Sequence, residues 1–407
     1  MDKVRVLKGD AFGVASGVLG WILEAYEFFV GVFIVDILAR EFQVSKAGII
    51  ASFTATLAMR PIGAICGGIL ADRYGRRGPL LIIVGYFAVL SVLGGAAQNY
   101  WMYIVVRCLY GIGMGSFWGV GASLALESAP KKWRGVLSGI LHAGYSLGYL
   151  LAAVATRLIL PAYGWRWMYW AGVIPSLLTL LVVYASSESE AWKQRHAQNV
   201  RTIIDVVWKH KRMLFYLTFA LTLMIALSHG TQDLYPDFLR ARNISSNVVA
   251  EIAIYYSIGA VMGAICVGQC SEVFGRRRMI LVALMLCAAA IPMWAFGRTT
   301  VALAVAAFVM QMGVAGAWGV IPAHLSELAP DAVRALFAGL AYQLGVLFGS
   351  PAGSIEYALK SRLGYGWSLA LFESCTIALL MIIFAIGPEK KGRSFSFEVN
   401  SSGEGEH

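Results

Sequence analysis

The chain repeats itself at an interval of 200 residues. Residues 68–77 (GILADRYGRR) return as residues 268–277 (GQCSEVFGRR). Further along each half, three residues recur at the same interval and without a gap: Trp118, Glu127 and Arg134 as Trp318, Glu327 and Arg334. A repeat of this kind indicates two structural units of similar fold. Positions at which the two halves differ are then candidates for the functional site.

The composition places both units in a membrane. The chain is 58% hydrophobic and 14% charged, whereas a soluble domain carries about 25% charged residues. Apolar stretches of about 20 residues, long enough to cross a bilayer, recur throughout. They predict an all-α membrane protein of twelve transmembrane helices in two pseudo-symmetric six-helix bundles. The predicted helices cover residues 11–35, 46–71, 79–97, 101–126, 134–159, 166–185, 213–237, 247–270, 279–296, 301–323, 334–358 and 366–387.

The basic residues predict the orientation. An even number of helices puts both termini on one side, and most of the 33 Lys and Arg residues lie in segments on that side. The positive-inside rule makes this side cytoplasmic. We therefore predict one bundle at residues 1–185 and one at 213–387, joined by a cytoplasmic connector at 186–212 and followed by a cytoplasmic tail at 388–407.

Composition and motifs also exclude several classes of function. The net charge of +10 follows from this orientation and from attraction to anionic lipid, so no nucleic acid partner is predicted. The six cysteines lack a metal-binding spacing, and we find neither a phosphate-binding glycine loop nor a nucleophile with a positioned base. The sequence thus predicts a monomeric, multi-pass protein of the plasma or inner membrane, in contact with lipid, with no cofactor, no metal and no enzymatic activity.

The repeated loops predict a gate on the cytoplasmic side. Each loop joins two helices and combines one acid with several arginines, while a further acid ends helix four or helix ten. These groups can form ion pairs that break and re-form as the bundles rock; the alternative is that the arginines only fix the topology. The candidate gating residues are Asp72, Arg73, Arg76, Arg77, Glu127, Glu272, Arg276, Arg277 and Glu327.

The loop pattern resembles the signature of the major facilitator superfamily, Gly-x-x-x-Asp/Glu-x-x-Gly-Arg-Arg, in both halves. The second loop departs from the first where Val273 stands in place of the arginine at Arg73. Residues 107–115, in which Arg107 precedes three alternating glycines, resemble the fourth helix of proton-coupled members of that superfamily. The resemblance implies a transporter whose two bundles rock around a central site.

Four ionisable residues lie within predicted helices of the first half and have uncharged equivalents in the second. The pairs are Glu24 with Met224, Glu27 with Leu227, Arg60 with Ala260, and Arg107 with Ala307. An ionisable side chain at membrane depth is costly and is by default a functional candidate. Glu24 and Glu27 share one helix face because they are three residues apart.

The depth of these residues suggests their roles. At a rise of about 1.5 Å per residue, Glu27 and Arg107 lie at similar depth, so that they can pair. We predict that Glu24, Glu27 and Arg107 handle a proton. Arg60 lies near the midplane, where a guanidinium suits a carboxylate ligand. The alternative for Arg60 is an internal salt bridge with Glu24.

The end of helix seven, residues 228–236 (SHGTQDLYP), concentrates hydrogen-bonding side chains. It resembles the helix-seven motif of the fungal lactate permeases and related sialate:proton symporters. The residues that match the motif are Ser228, His229, Thr231, Gln232 and Asp233, whereas Ile225 and Asp237 depart from it. Residues 342–345 (YQLG) resemble helix eleven of that family, which implies that Gln343 lines the transport pathway.

We therefore expect a proton-coupled symporter of a small monocarboxylate such as lactate or pyruvate. The predicted substrate-binding residues are Arg60, Tyr145, His229, Gln232, Asp233 and Gln343. For Tyr145, packing is as good an explanation as a place in the cavity. The alternatives are a symporter of sialate, an aromatic acid or a dicarboxylate, and a transporter-like nutrient receptor that does not transport.

Overall fold

In the part of the chain that the structure describes, twelve long apolar helices cross the molecule, as the sequence predicts. The structure, a computed structural model, describes residues 2–194, 199–232 and 234–392, and only the backbone of residues 2–10, 131 and 246. In the first bundle the helices are α1 Asp2–Phe33, α2 Lys46–Tyr74, α3 Arg77–Gly95, α4 Tyr100–Ser128, α5 Arg134–Leu158 and α6, which comprises Trp165–Ala171 and Val173–Ala185. In the second they are α7 Lys211–Gln232, α8 Ser246–Phe274, α9 Arg276–Phe296, α10 Thr300–Leu328, α11, which comprises Arg334–Gly349 and Ala352–Leu363, and α12 Tyr365–Ile386.

The helix ends follow from local chemistry. The Ser45 hydroxyl accepts a hydrogen bond from the Gly48 amide and so caps α2, and the Asn99 side chain caps α4 in the same way. In the two motif loops Gly75 and Gly275 have φ of 104° and 102°. A side chain at either glycine would be strained. A glycine is therefore required at the turn that separates α2 from α3 and α8 from α9.

Two predicted helices of the second bundle are interrupted. The predicted helix 334–358 breaks after Gly349, because Pro351 lacks the amide proton that would continue it. The predicted helix 213–237 ends at Gln232, and a separate short helix, Tyr235–Ala241, begins with a proline in its first turn. Asp233 lies outside the described residues.

The bundles meet through α2 with α11, α5 with α8, α4 with α11 and α5 with α10. On the predicted cytoplasmic side, small residues bring the backbones together. Gly68 lies against the backbone of Leu336, and Gly135 against that of Gly268. Small residues allow this close approach between membrane helices. This side of the molecule is closed.

Replacing Gly115 by alanine is expected to destabilise the protein, because the added methyl group would overlap the backbone carbonyl of Arg60. Overpacking of this kind costs about 1–3 kcal/mol, and it would also separate α4 from α2. We expect a lower melting temperature in detergent. Gly85→Ala is the matched control, since nothing lies within 4 Å of a methyl group at that position. An equal melting temperature for both variants would contradict the prediction.

Candidate functional site

A buried cation lies where the two bundles face each other. Nε of Arg60 on α2 donates to the Gln343 side-chain oxygen on α11 at 2.7 Å, and Nη2 lies 3.3 Å from a Glu24 carboxylate oxygen on α1. All three side chains are buried. Glu24 Oε2 and Gln343 Nε2 have no hydrogen-bond partner among the described residues. The cluster thus has unused donor and acceptor capacity around one guanidinium.

Glu24 and Gln343 reach Arg60 from opposite bundles. The salt bridge of Arg60 with Glu24, which the sequence suggests as the alternative to an anion site, is present, and a second bond crosses between the bundles. The backbone carbonyl of Glu24 also accepts a hydrogen bond from the Tyr110 hydroxyl at 2.6 Å. This bond fixes α1 against α4 at the level of the cluster.

Aromatic rings surround this level of the molecule. Tyr342, next to Gln343, stacks on Trp118 with ring centroids 4.2 Å apart, and it contacts Trp21 edge-on. Trp21 in turn packs against Tyr145, so the predicted binding residue Tyr145 belongs to this aromatic group. His142 stacks on Trp318. Both stacks join one bundle to the other and close the centre of the protein.

Glu27 and Arg107 do not form the direct ion pair that their depth suggests. The Glu27 carboxylate accepts a short hydrogen bond from the Ser91 hydroxyl. Arg107 Nη1 is 3.5 Å from the Glu27 backbone carbonyl, and Arg107 Nε and Nη2 have no hydrogen-bond partner among the described residues. Both side chains line a small internal cavity together with Tyr110.

Phe28, Phe53 and Tyr110 surround the Arg107 guanidinium with their rings, at centroid distances of 5.1–5.5 Å. These rings stabilise the cation where no carboxylate reaches it. Glu27 and Arg107 therefore line the same small cavity, and neither neutralises the other by direct contact.

The polar end of α7 forms its own hydrogen-bond network. Thr231 accepts from the side chain of Gln311 on α10, and the Gln232 amide donates to the Gln311 oxygen, each at 3.1 Å. Ser228 accepts from the Trp318 indole at 2.6 Å. His229 is half-buried and Gln232 is exposed. The structure brings Gln343 to Arg60, but it does not bring Gln232 there.

On the predicted cytoplasmic side, the first motif loop is tied to the opposite bundle. Arg76 contacts Asp72 at 2.9 Å and Glu127 at 3.2 Å, and Glu127 also accepts from Arg334 of the second bundle at 2.6 Å. Burial alone lowers the pKa of Arg76, but the carboxylates of Glu127 and Asp72 raise it above its ordinary value. Arg76 is therefore a stable cation.

Asp72 makes a second connection between the bundles. Its carboxylate accepts hydrogen bonds from the backbone amides of Ala335 and Leu336 at the start of α11, at 3.2 and 2.9 Å. The start of a helix favours an anion because its first amides have no partner within the helix. The other arginines of this loop lie at its edge: Arg73 packs over the Tyr74 ring, and Arg77 donates to the Tyr184 carbonyl.

The second motif loop repeats this arrangement. Arg276 contacts Glu272 at 2.7 Å and Glu327 at 2.9 Å, and Glu272 accepts from the backbone amide of Gly135 at the start of α5. Arg277 donates to the carbonyl of Gly387. The acids of the two loops therefore each bind the first turn of a helix in the other bundle.

Sequence reasoning missed the part of the connector that holds the first loop. The Glu188 carboxylate accepts from the backbone amides of Arg76 and Arg77, and the Ser189 hydroxyl donates to Glu127. In the second half, Glu389 lies against Gly275. The available signal was the position of Glu188 and Glu389, since each follows the last helix of its bundle by a few residues. Residues 393–407 of the predicted tail lie outside the described residues.

Within the ranges that the structure describes, no group of three or more His, Cys, Asp or Glu side chains is arranged to hold a metal ion. The chemistry available is that of buried carboxylates, arginines and amides, which bind anions and exchange protons.

Comparison with known proteins gives two family matches. The family described as Major Facilitator Superfamily matches residues 16–237, and that described as Sugar (and other) transporter matches residues 215–388. The chain is 29% identical over 375 residues to a carboxylic acid transporter protein homolog of Saccharomyces cerevisiae, covering 85% of this chain. It spans only 61% of that yeast protein's length.

Two further proteins extend the comparison. The chain is 24% identical over 391 residues to the sialic acid transporter NanX of Escherichia coli, covering 94% of this chain and 95% of the relative. The solved structure of the proton:xylose symporter XylE superposes with a TM-score of 0.75 at 20% identity, covering 95% of this chain and 98% of the other. At this identity the structural likeness establishes the fold.

Proposed function

This chain belongs to the Major Facilitator Superfamily of membrane transporters, and from that premise we propose that it carries a small monocarboxylate, such as lactate or pyruvate, together with protons. The observation that carries the proposal is the Arg60 guanidinium, which is buried between the bundles and bound to Glu24 and Gln343. A guanidinium at this depth is suited to a carboxylate ligand.

Proton coupling follows from competition for Arg60. While Glu24 is ionised it occupies Nη2 of the guanidinium. A proton on Glu24 weakens that pair and frees the donor for the substrate carboxylate. When the substrate leaves, Glu24 binds Arg60 again and releases its proton. Through this exchange a negative charge stays beside Arg60 at every stage, which avoids an uncompensated buried cation.

Alternating access requires the motif contacts to open and close. In the closed arrangement Asp72 holds the start of α11, and Glu127 holds Arg334. Breaking these contacts would open the predicted cytoplasmic side, and re-forming them would return the site to the outer side. In this proposal both termini are cytoplasmic and the protein spans the cell membrane.

The aromatic residues favour a second candidate substrate class. Tyr342 stacks on Trp118 directly beside Gln343, so an unsaturated or aromatic acid could place its ring against these side chains while its carboxylate binds Arg60. Offset stacking of aromatic rings is worth about 0.5–1.5 kcal/mol beyond the area buried. This would favour benzoate over lactate as a competitor.

The substrate proposal is tested by uptake of labelled lactate into proteoliposomes with an inward proton gradient. We expect saturable uptake that the gradient stimulates and that an uncoupler abolishes. Unlabelled lactate, benzoate, sialate and succinate serve as competitors and rank the substrate classes. Uptake of sialate or succinate that saturates, without any gradient-stimulated uptake of lactate, would refute the assignment.

Replacing Glu24 by glutamine is expected to weaken proton coupling. Glutamine keeps the shape of the side chain but takes up no proton, so gradient-driven accumulation should fall below that of the unaltered protein. Exchange of labelled for unlabelled substrate across the membrane needs no net proton movement and serves as the second readout. Glu27→Gln is made in parallel. If both variants accumulate substrate as the unaltered protein does, neither carboxylate carries the proton.

A further inference from the structure

A second buried carboxylate lies in the C-terminal bundle, away from Arg60. Glu373, on α12, has an exposed fraction of 0%. Neither of its carboxylate oxygens has a hydrogen-bond partner among the described residues. An ionised carboxylate in such surroundings is unfavourable, because nothing replaces the water that it has lost. A bound proton would remove that charge.

Among the residues that the structure describes, no Lys, Arg or His side chain forms a salt bridge with Glu373. The helices that pack against α12 are α7, α9 and α11. From α7, Gly230 lies against the carboxylate, and a methyl group at Gly230 would overlap Oε1. Cys287 on α9 and Glu356 on α11 are close enough to interact with Glu373 electrostatically. His229 on α7 is adjacent to Gly230 in the sequence.

The first bundle has a similar site in the equivalent place. There Glu27 on α1 lies against Gly172 on α6, and a methyl group at Gly172 would overlap Oε1 of Glu27. The pair α1 and α6 corresponds by the internal repeat to the pair α7 and α12. Each bundle thus has one buried carboxylate between its first and last helix, facing a glycine, although the acid comes from the first helix in one case and from the last in the other.

The acid lies on the first helix of one bundle and on the last helix of the other. A comparison of the two halves at equivalent positions therefore does not reveal the second site. The residue equivalent to Glu27 is Leu227, and the residue equivalent to Glu373 is Val173. When the two halves are aligned by sequence, the second half has no acid at the position of Glu27. When the two bundles are compared in space, an acid lies between the first and last helix of each.

A cavity open to the surface is lined by Leu234, which follows α7, and by Ser354 in the second part of α11. Glu356 lies on the same part of α11, two residues from Ser354. Its backbone carbonyl accepts a hydrogen bond from the Ser368 hydroxyl of α12 at 2.9 Å, which holds this part of α11 against the helix that contains Glu373.

We propose that Glu373, together with Glu356, forms a second proton-binding site that is loaded from this cavity during transport. The inference rests on the proposed proton-coupled function. A proton from the outer solution adds to the Glu373 carboxylate to give the neutral acid, and it is released when the bundle reorients. Two protons then accompany each carboxylate, and each turnover with a monoanion moves one net positive charge inward.

The test is the dependence of uptake on voltage and pH in proteoliposomes, with labelled lactate as the probe. The proton-to-substrate ratio is read from the pH difference at which net flux reverses against a fixed opposing substrate gradient, with the membrane potential held at zero. We expect a ratio of two for the unaltered protein and of one for Glu373→Gln. An equal ratio in both proteins overturns the second site. Absence of any proton-driven uptake in the unaltered protein refutes the proposed function instead.

Infrared difference spectroscopy of the purified protein provides a readout that does not depend on the substrate. Because Glu24 gives a carboxyl band of its own under the proposed function, we expect a further band from a protonated buried carboxyl group between acidic and alkaline buffer, and this further band is lost in Glu373→Gln. Gly230→Ala should shift this band, because the methyl group displaces the carboxylate. Asp237→Asn, which removes an exposed acid paired with Arg240, is the control and should leave the band in place. A band that persists in Glu373→Gln would overturn the proposal.

Discussion

Replacing Arg60 by lysine is expected to weaken substrate binding by roughly 10- to 100-fold, corresponding to the loss of one hydrogen bond to a charged group at about 1.5–3 kcal/mol. Arg60 uses two different nitrogens, Nε toward Gln343 and Nη2 toward Glu24. A lysine ammonium has a single nitrogen on a flexible stem, so it cannot reproduce this planar arrangement. Lysine keeps the positive charge at position 60, so this variant tests only the planar arrangement of the guanidinium donors.

The measurement is the half-saturation concentration for exchange of labelled substrate, together with direct titration of the purified protein. A variant that removes the charge of Arg60 must be compared with one that also removes the charge of Glu24. Arg60→Gln leaves the Glu24 carboxylate buried without its partner, which costs about 3–5 kcal/mol and confuses folding with binding. The double variant Arg60→Gln with Glu24→Gln removes both charges, so we expect it to recover thermal stability but not substrate binding.

Two outcomes would contradict the anion site. Unchanged half-saturation in Arg60→Lys would show that the guanidinium only pairs with Glu24. Substrate binding by the double variant would show that the carboxylate is recognised elsewhere, for example by the polar end of α7. The structure gives that second possibility a defined location, since Thr231, Gln232 and Gln311 form one hydrogen-bond network.

The fold could be predicted from the sequence because its signals are long and repeated. Twelve apolar stretches and the motif loops 68–77 and 268–277 together specify two equivalent bundles. The breaks within helices were harder to predict. Pro351 interrupts α11 after Gly349, yet Pro61, Pro292 and Pro322 lie inside unbroken helices. A proline in a membrane helix is tolerated where neighbouring groups satisfy the freed carbonyl.

The candidate site could be predicted only one bundle at a time. The Arg60–Glu24 pair lies within the first bundle, where helix depth suffices to suggest it. The bond from Arg60 to Gln343 crosses between bundles, and its register depends on how α2 packs on α11. These helices are apolar on nearly all faces. Their sequences therefore show little periodicity, and the face that packs against the other bundle cannot be deduced from them.

The hydrogen-bond partner of Glu27 could not be predicted either, because the sequence does not define how each helix is rotated about its axis. Depth along the helices places Arg107 at the right level, but rotation about each helix axis decides contact. In the structure Ser91 on α3 provides the hydrogen bond, and Arg107 lies among aromatic rings instead. A one-dimensional estimate of depth contains no information about that rotation.

The second large effect is expected at the closed, predicted cytoplasmic side, where Glu127→Gln should shift the protein toward conformations that are open on that side. Glu127 binds Arg76 within its own bundle and Arg334 across the interface. The bond to Arg76 can persist in both conformations, whereas the bond to Arg334 requires the bundles to be together. Loss of a charged hydrogen bond, at about 1.5–3 kcal/mol, would change the ratio of open to closed protein by roughly 10- to 100-fold.

The shift can be measured at a position that closure protects. Leu336 is 4% exposed and lies against Gly68 of the other bundle, so a cysteine at Leu336 should react with a maleimide only when this side opens. The measurement uses a background in which the native cysteines are replaced. We expect faster alkylation in Glu127→Gln and in Arg334→Gln. The double variant should add little, because both single changes remove the same bond.

Asp237→Asn breaks the exposed pair with Arg240 and is the matched control, since that pair lies within one bundle and should not affect alkylation. Equal alkylation rates in Glu127→Gln and the parent would show that the Glu127–Arg334 bond does not hold the bundles together. Asp72→Asn would then become the decisive variant, because Asp72 binds the first amides of α11 by hydrogen bonds that do not involve an arginine of the second bundle. Closure would then rest on the start of α11, and alkylation at Leu336 should rise in Asp72→Asn alone.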